Sequence, residues 1–229
     1  EGLPVPNDEH NLVRRAARLF FAGSGVKGGV FVRVTKNIPV AAGMGGGSSD
    51  AAATLFSLNH LWARPLPSET LRELALQLGA DVPFFLDPRP SIARGVGEVL
   101  EPVERWPDLW YLIVTPRFQV STAWVYGNLR LGLTSNEYDR IKDQLSKETL
   151  VISQFLVNDL ESVTSTQFPI LDRIKKALLD AGAEGALMTG SGPSVFGVFG
   201  SRKQAEQAQE KILPQGLGRV FLAANWKET

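Results

Sequence analysis

Residues 39–53 read Pro39-Val40-Ala41-Ala42-Gly43-Met44-Gly45-Gly46-Gly47-Ser48-Ser49-Asp50-Ala51-Ala52-Ala53. Four glycines, Gly43 and Gly45 to Gly47, run into two serines and then a series of strong helix formers. Without a Cβ, glycine lets backbone N–H groups curl around an anion and approach it closely. Ser48 and Ser49 suit the N-cap of the helix that follows, whose first turn offers unpaired N–H groups and a positive dipole end. The stretch therefore predicts a phosphate cradle at a helix N-terminus. A flexible glycine linker is the plain alternative, but linkers seldom run straight into Ser-Ser-Asp-Ala-Ala-Ala-Thr-Leu.

The wording excludes two familiar loops. Walker A ends in Gly-Lys-Ser/Thr, and the chain holds no Gly-Lys dipeptide. A dinucleotide fingerprint started at Gly43 or Gly45 puts Ser48 or Asp50 where its last glycine belongs. This is a phosphate loop of a third kind.

At 229 residues the chain can bury a substantial core, as one large domain or two small ones. Its 24 basic and 24 acidic residues balance, so no global field draws it to nucleic acid or to a membrane surface. Zero cysteines exclude disulfides and thiolate chemistry and suit a reducing compartment. No apolar run reaches the ~18 residues of a membrane helix, and no signal-peptide pattern opens the chain. The sequence starts at Glu1 and its methionines are Met44 and Met188, so a natural start upstream is expected.

Working outward from the glycine loop, residues 8–21 carry a helical stripe of Leu12, Ala16, Leu19 and Phe20. Val30, Val32 and Val34 alternate with Phe31, Arg33 and Thr35, which predicts a strand entering the loop. Residues 49–62 form the helix behind the cradle, and Asp50, one turn in, complements its dipole. Ser68 caps a helix over 69–78 that Gly79 stops. Strands are expected over 91–94 and 98–103, around Gly95-Val96-Gly97. In the second half strands fall at 109–115, 186–189, 195–199 and 219–224. Helices fall at 121–129, 136–146, 158–163, 170–181 and 202–212. The pattern is mixed α+β in two lobes.

One acid stands out. Asp81, in Leu78-Gly79-Ala80-Asp81-Val82-Pro83-Phe84-Phe85, lies among apolar residues just past a helix stop. It is either a cap for the next turn or a carboxylate held for chemistry. Beside a phosphate loop, the second role is that of a base accepting the proton of a hydroxyl that attacks a γ-phosphate. A second glycine loop, Met188-Thr189-Gly190-Ser191-Gly192-Pro193-Ser194, joins two apolar strands. It reads as a hairpin turn or as a turn leaning on a ligand or on the first loop. Lys36 is a solvated strand-end lysine or a nucleotide contact, and Trp124 and Tyr126 are core aromatics or stacking platforms. His10 and His60 have no metal-ligand spacing, and no Gly-x-Ser-x-Gly elbow exists to activate Ser48 or Ser49.

Taken together, the Gly-Ser loop, the Gly-Ala-Asp-Val-Pro segment and the second glycine loop resemble those of the GHMP kinases, named for galactose, homoserine, mevalonate and phosphomevalonate. The resemblance covers nearly the whole chain. It implies an α+β, two-lobed fold of mixed sheets with helices packed on them and an active site in the cleft between lobes. Residues 1–92 would be the ATP-binding lobe and 93–229 the C-terminal lobe. Residues 45–53, 58–62 and 78–83, with Gly95-Val96-Gly97-Glu98 and Asn158-Asp159-Leu160-Glu161, are most similar to one narrower group. Its members phosphorylate the 2-hydroxyl of 4-diphosphocytidyl-2-C-methyl-D-erythritol in the non-mevalonate isoprenoid pathway of bacteria and plastids.

On that resemblance Asp81 is the catalytic base, and Gly43, Gly45, Gly46, Gly47, Ser48 and Ser49 hold the phosphates of ATP. Asn11 and Lys36 lie near the adenine. Thr122 and Tyr126 line the cytidine end, and Gly190, Ser191 and Gly192 close beside the site. ATP and Mg²⁺ are the implied cofactors, with no side chain assigned to the metal. The implied partner is the small-molecule acceptor, with no nucleic acid and no membrane, in a monomer or homodimer of the bacterial cytoplasm or plastid stroma. Another small-alcohol kinase of the family, or a nucleotide or metabolite binder without turnover, are the alternatives. Family members open with a Lys-x-Asn-x-x-Leu strand that residues 1–40 do not match. A truncated chain, with weak or absent activity by itself and an exposed sheet edge, is the resulting expectation.

Overall fold

The computed structural model describes residues 8–130, 137–145 and 151–225. Its contacts divide the chain into two compact units, one of Glu1–Val40 and Gly45–Glu104, the other of Ala41–Met44 and Arg105–Thr229. The first unit runs to Glu104, and four residues of the glycine loop, Ala41–Met44, group with the second unit.

In the first unit α1 (Leu12–Ser24), α2 (Gly46–Leu61) and α3 (Ser68–Leu78) precede a 3-10 turn, Pro83–Leu86, and the antiparallel hairpin of β1 (Ser91–Arg94) and β2 (Val99–Pro102). Helix α1 starts where the Asn11 side chain accepts the Val13 and Arg14 N–H groups at 2.9 and 3.4 Å. It stops at Gly25, whose φ of +66° breaks the helix. Ala51 and Ala52 of α2 are fully buried, and their small side chains let the neighbouring helices come close. Ala16 and Phe20 of α1, Leu55 and Leu58 of α2, and Leu71, Leu74 and Leu78 of α3 complete one core. Each of those large side chains contributes roughly 1.5–3 kcal/mol by leaving water. The α2–α3 connection is pinned by Asn59, whose amide both donates to and accepts from the Leu66 backbone at 3.0 Å.

Two expectations fail here. Residues 30–34 form no strand: a strand exists only with a ladder partner, and the described residues supply none. Val30, Val32 and Val34 instead line a groove of about 580 Å³ with Ala17 and Phe21 of α1, while Phe31 is 85% exposed. Ser68 is not a cap either, because α3 begins at Ser68 itself, after Pro67 and without a side-chain cap.

The second unit is built on a four-stranded antiparallel sheet of β3 (Trp110–Thr115), β4 (Gly185–Met188), β5 (Val195–Phe199) and β6 (Arg219–Ala224), in the order β4-β5-β3-β6. Strand β3 is central, with Ile113 opposite Phe196 on one side and Phe221 on the other. Alternation sorts its faces. Leu112, Val114, Val195 and Phe199 pack with Leu171, Ile174 and Leu178 of α7 (Ile170–Asp180) and with Ala205, Ala208 and Ile212 of α8 (Arg202–Ile212). Tyr111, Phe196 and Val198 face Ile152 and Leu156 in a smaller cluster. Helices α4 (Thr122–Asn128), α5 (Glu137–Leu145) and α6 (Asp159–Gln167) complete the unit. The expected ends of α5, Asn136 and Ser146, lie outside the described residues. No helix among the described residues is long and apolar enough to cross a membrane.

Candidate active site

In the first unit the glycine run starts α2 earlier than its serines suggest. Gly45 is the N-cap, with φ +63°, and its carbonyl accepts the Ser49 N–H at 2.9 Å. Ser48 and Ser49 are therefore the third and fourth helical residues, not caps. The Gly46, Gly47 and Ser48 amides precede that first helical bond and have no acceptor within the helix. They are the N–H groups a phosphate takes, at the positive end of a 16-residue helix.

Around this helix start the walls are close. A Cβ on Gly45 would stand 2.9 Å from the Phe85 ring. One on Gly46 would stand 2.9 Å from the Lys36 ammonium and 3.0 Å from Ile38. Lys36, read from sequence as a strand-end lysine or a nucleotide contact near the adenine, is only 6% exposed, and its ammonium pairs with the Asp50 carboxylate. It thus lies against the glycine loop, with its charge paired to that of Asp50. Asn11 spends its side-chain oxygen on capping α1, beside Leu12, whose methyl would sit 3.4 Å from a Cβ on Gly47.

Asp81 lies in the turn between α3 and the 3-10 turn that carries Phe85. Val82, not Asp81, is the N-cap residue of that turn, and no side chain caps it. The cap reading of Asp81 is therefore excluded. Its carboxylate is exposed and takes no hydrogen bond or ion pair among the described residues, so it stays open to a substrate hydroxyl.

Within the second unit the two glycine loops meet. The Thr189 hydroxyl donates to the Gly43 carbonyl at 2.8 Å. Gly43, at φ +72°, lies so near that a Cβ there would be 2.0 Å from the Thr189 carbonyl oxygen. The second loop is a hairpin turn between β4 and β5 as well as a support for the first: Thr189 N–H reaches Ser194 O at 2.9 Å and Gly192 N–H reaches Thr189 O at 3.0 Å. Thr122, the first residue of α4, shares a 2.9 Å hydroxyl hydrogen bond with Ser191. Tyr126 is 60% exposed on the same helix and Trp124 is 39% exposed, so neither is a core aromatic; the buried residue there is Val125. The described contacts bring Thr122 and Ser191 together and leave the Tyr126 ring outside that pair.

Models of two domains match the chain: GHMP kinases N terminal domain over residues 11–87, and GHMP kinases C terminal over residues 144–216. The 4-diphosphocytidyl-2-C-methyl-D-erythritol kinase of Geobacter metallireducens is 47% identical over 208 residues, covering 91% of this chain and 73% of that relative. The chain belongs to the GHMP kinases. The namesake enzyme of Syntrophotalea carbinolica is 44% identical over 221 residues, covering 96% of this chain and 78% of its own. A crystal structure of 4-(cytidine 5'-diphospho)-2C-methyl-D-erythritol kinase superimposes with a TM-score of 0.80 at 35% identity, over 97% of this GHMP kinase and 81% of that chain. Homoserine kinase from Cytophaga hutchinsonii, at 20% identity and a TM-score of 0.73, shares the fold.

Residue-by-residue reading of the sequence missed Phe85, Thr189, Asn158 and Glu161. The Asn158 amide donates to the Met188 and Gly190 carbonyls at 2.8 and 2.9 Å, and Glu161 accepts the Met188 N–H at 2.8 Å. Each stood in a quoted stretch, but the Phe85 ring acts by packing on Gly45 and the other three by hydrogen bonds to distant backbone, which spacing does not encode.

Proposed function

We propose that this GHMP kinase transfers the γ-phosphoryl group of ATP to the 2-hydroxyl of 4-diphosphocytidyl-2-C-methyl-D-erythritol, a step of the non-mevalonate isoprenoid pathway. The observation that carries this reading is the 43–47% identity, over nine-tenths or more of the chain, to bacterial kinases of that name. These relatives also support the bacterial cytosol as its setting.

Phosphoryl transfer asks mainly for positioning and charge stabilisation. The Gly46, Gly47 and Ser48 amides, with the Lys36 ammonium beside them, supply that charge for the phosphates of ATP. Phe85 bounds the same region, and Asn11 is assigned to the adenine end. The acceptor oxygen forms its bond to the γ-phosphorus as the bridging β–γ oxygen bond breaks and ADP leaves. The hydroxyl proton passes to the Asp81 carboxylate. Thr122 and Tyr126 are assigned to the cytidine end, where an exposed tyrosine ring can stack on the base, and the Gly190-Ser191-Gly192 turn is assigned to close beside the site. Mg²⁺ takes hard oxygen donors, among which the Ser48 and Ser49 hydroxyls at the helix start would be candidates, and it would neutralise phosphate charge when bound with ATP.

The test is ATP consumption with Mg²⁺ and three acceptors: the cytidine-bearing alcohol, mevalonate and homoserine. Turnover confined to the first supports the reading. Turnover with another acceptor reassigns the chain within its family. ATP binding with no turnover on any acceptor makes it a nucleotide binder.

A further inference from the structure

At the opposite end of α2 from the glycine loop, the first unit holds a cavity of about 590 Å³ that phosphoryl transfer does not use. Its volume is that of a site for a small organic molecule. Exposed Phe56 of α2, buried Leu66, buried Leu71 of α3 and half-buried Leu86 give it an apolar wall. Arg64, Arg72 and His60 line the same space. Neither guanidinium has a hydrogen bond or ion pair among the described residues. The acid on the lining is Asp87, and Arg89 holds both of its oxygens, one of them through Nε at 3.0 Å. That bond, and after it the charges of Arg89 and Arg72, hold the Asp87 carboxyl below its ordinary range. The cavity therefore carries surplus positive charge.

The turn that carries Arg64 is strained. Ala63 and Arg64 both take left-handed backbone, at φ +58° and +60°, a conformation that L residues avoid and glycine does not. Their surroundings hold them in it. The Ala63 N–H reaches the His60 carbonyl at 3.1 Å and the Arg64 N–H reaches the Asn59 carbonyl at 2.6 Å. The Asn59 amide clamps the Leu66 backbone two residues on. These bonds also occupy two of the last α2 carbonyls, groups that repel an anion when left open. Glycine would close such a helix end without strain. The chain instead places an arginine there, on the cavity wall.

We propose that this cavity is a second ligand site, for a phosphate monoester with an apolar body: Arg64 and Arg72 take the phosphate, and the wall of Phe56, Leu66, Leu71 and Leu86 takes the body. A guanidinium offers phosphate two parallel N–H donors. Two of them match the nearly double charge of a phosphate monoester at neutral pH better than the single charge of a carboxylate. His60 adds a ring N–H donor to the lining. The site is separate from the Gly46–Ser48 cradle, because the 16 residues of α2 put about 24 Å between the helix ends. It requires neither ATP nor the acceptor alcohol.

Titration calorimetry of the full 229-residue chain tests it, with phenyl phosphate as the probe and benzyl alcohol as its neutral counterpart. Each titration is run with and without a saturating non-hydrolysable ATP analogue and Mg²⁺, which fill the cradle. Wild type is expected to bind phenyl phosphate in both conditions and the alcohol in neither. Arg64→Gln and Arg72→Gln are each expected to bind it at least ~10-fold more weakly, the range for a lost hydrogen bond to a charged group. Arg64→Gly separates the site from the fold: it relieves the left-handed backbone, so its thermal midpoint should rise while its affinity falls as in Arg64→Gln. A wild-type chain that takes up no phenyl phosphate at ~10 mM overturns the proposal. So does binding that the ATP analogue abolishes, which puts the probe in the cradle, or equal affinity for the alcohol, which makes the cavity merely apolar. Unchanged affinity in either glutamine variant overturns it as well. A loss that comes only with a fallen thermal midpoint in every variant makes the arginines structural, with the same result. Failure of the analogue to bind bears on the cradle alone, and the arginine variants still decide.

Discussion

The Lys36 ammonium and the Asp50 carboxylate form an ion pair at the start of α2, directly over Gly46. Lys36 is 6% exposed and Asp50 31%, so one charge is buried and the other reaches solvent. A buried charge that loses its partner costs more than the pair itself contributes. Asp50→Ala should therefore destabilise the protein by about 1–3 kcal/mol, less than for a pair buried on both sides. Urea unfolding reads this directly. Adding Lys36→Met should recover part of the loss, since no ammonium then remains unpaired. A double variant less stable than Asp50→Ala alone would show that the lysine stem, not the charge pair, carries the stability.

Asp81 is the one exposed carboxylate on the turn that leads into Phe85 of the loop wall. Asparagine keeps its size and removes its basicity. Asp81→Asn is expected to lower turnover by at least ~100-fold, the low end for a lost general base, with ATP affinity unchanged. Steady-state kinetics and nucleotide titration on the same preparation check both halves. Turnover near the wild-type rate would take the base role away from Asp81.

The strands of the second unit were legible because their pattern is local and the partners that complete it are apolar runs of the same kind. Val195–Phe199 and Arg219–Ala224 are apolar runs closed by turn residues, and the ladder they join lies within the chain. Val30, Val32 and Val34 carry an equally clear alternation, yet a strand needs a partner that the pattern itself cannot provide. The glycine loop was legible as chemistry but not in register. Serine outranks glycine by cap preference, and that preference was overridden by the left-handed Gly45. Lys36 reads from sequence as a solvated strand-end lysine or a nucleotide contact, because the pairing with Asp50, 14 residues away, is a tertiary fact. Thr189 looked like a turn residue for the same reason: its acceptor is 146 residues distant.

Asn59 is a structural residue lying inside a stretch with family-like wording. It is 6% exposed, and both hydrogen bonds of its amide go to the Leu66 backbone. Removing it leaves a buried N–H and a buried C=O unpaired, each costing about 1–3 kcal/mol. Asn59→Ala should lose about 2–4 kcal/mol of stability while binding ATP as wild type does at 25 °C. A drop in ATP affinity without a drop in unfolding midpoint would move Asn59 into the site.

Gly43 and Gly216 separate contact from backbone strain within one unit. Both take left-handed backbone, at φ +72° and +63°, which costs an L residue roughly 1–2 kcal/mol. A Cβ at Gly216 meets nothing within 4 Å, whereas one at Gly43 falls 2.0 Å from the Thr189 carbonyl oxygen and 3.1 Å from the Gly192 nitrogen. Those neighbours are backbone, held by Asn158 and Thr164, and cannot step aside as a flexible side chain would. Gly216→Ala should therefore lower stability by about the strain alone and leave ATP affinity intact. Gly43→Ala must push the first glycine loop off the second. It is expected to weaken ATP binding at least ~10-fold, the equivalent of about 1.4 kcal/mol or more. Thermal unfolding and nucleotide titration of both variants settle the comparison. If the two behave alike, backbone strain rather than the packing of Gly43 on Thr189 is what the loop depends on.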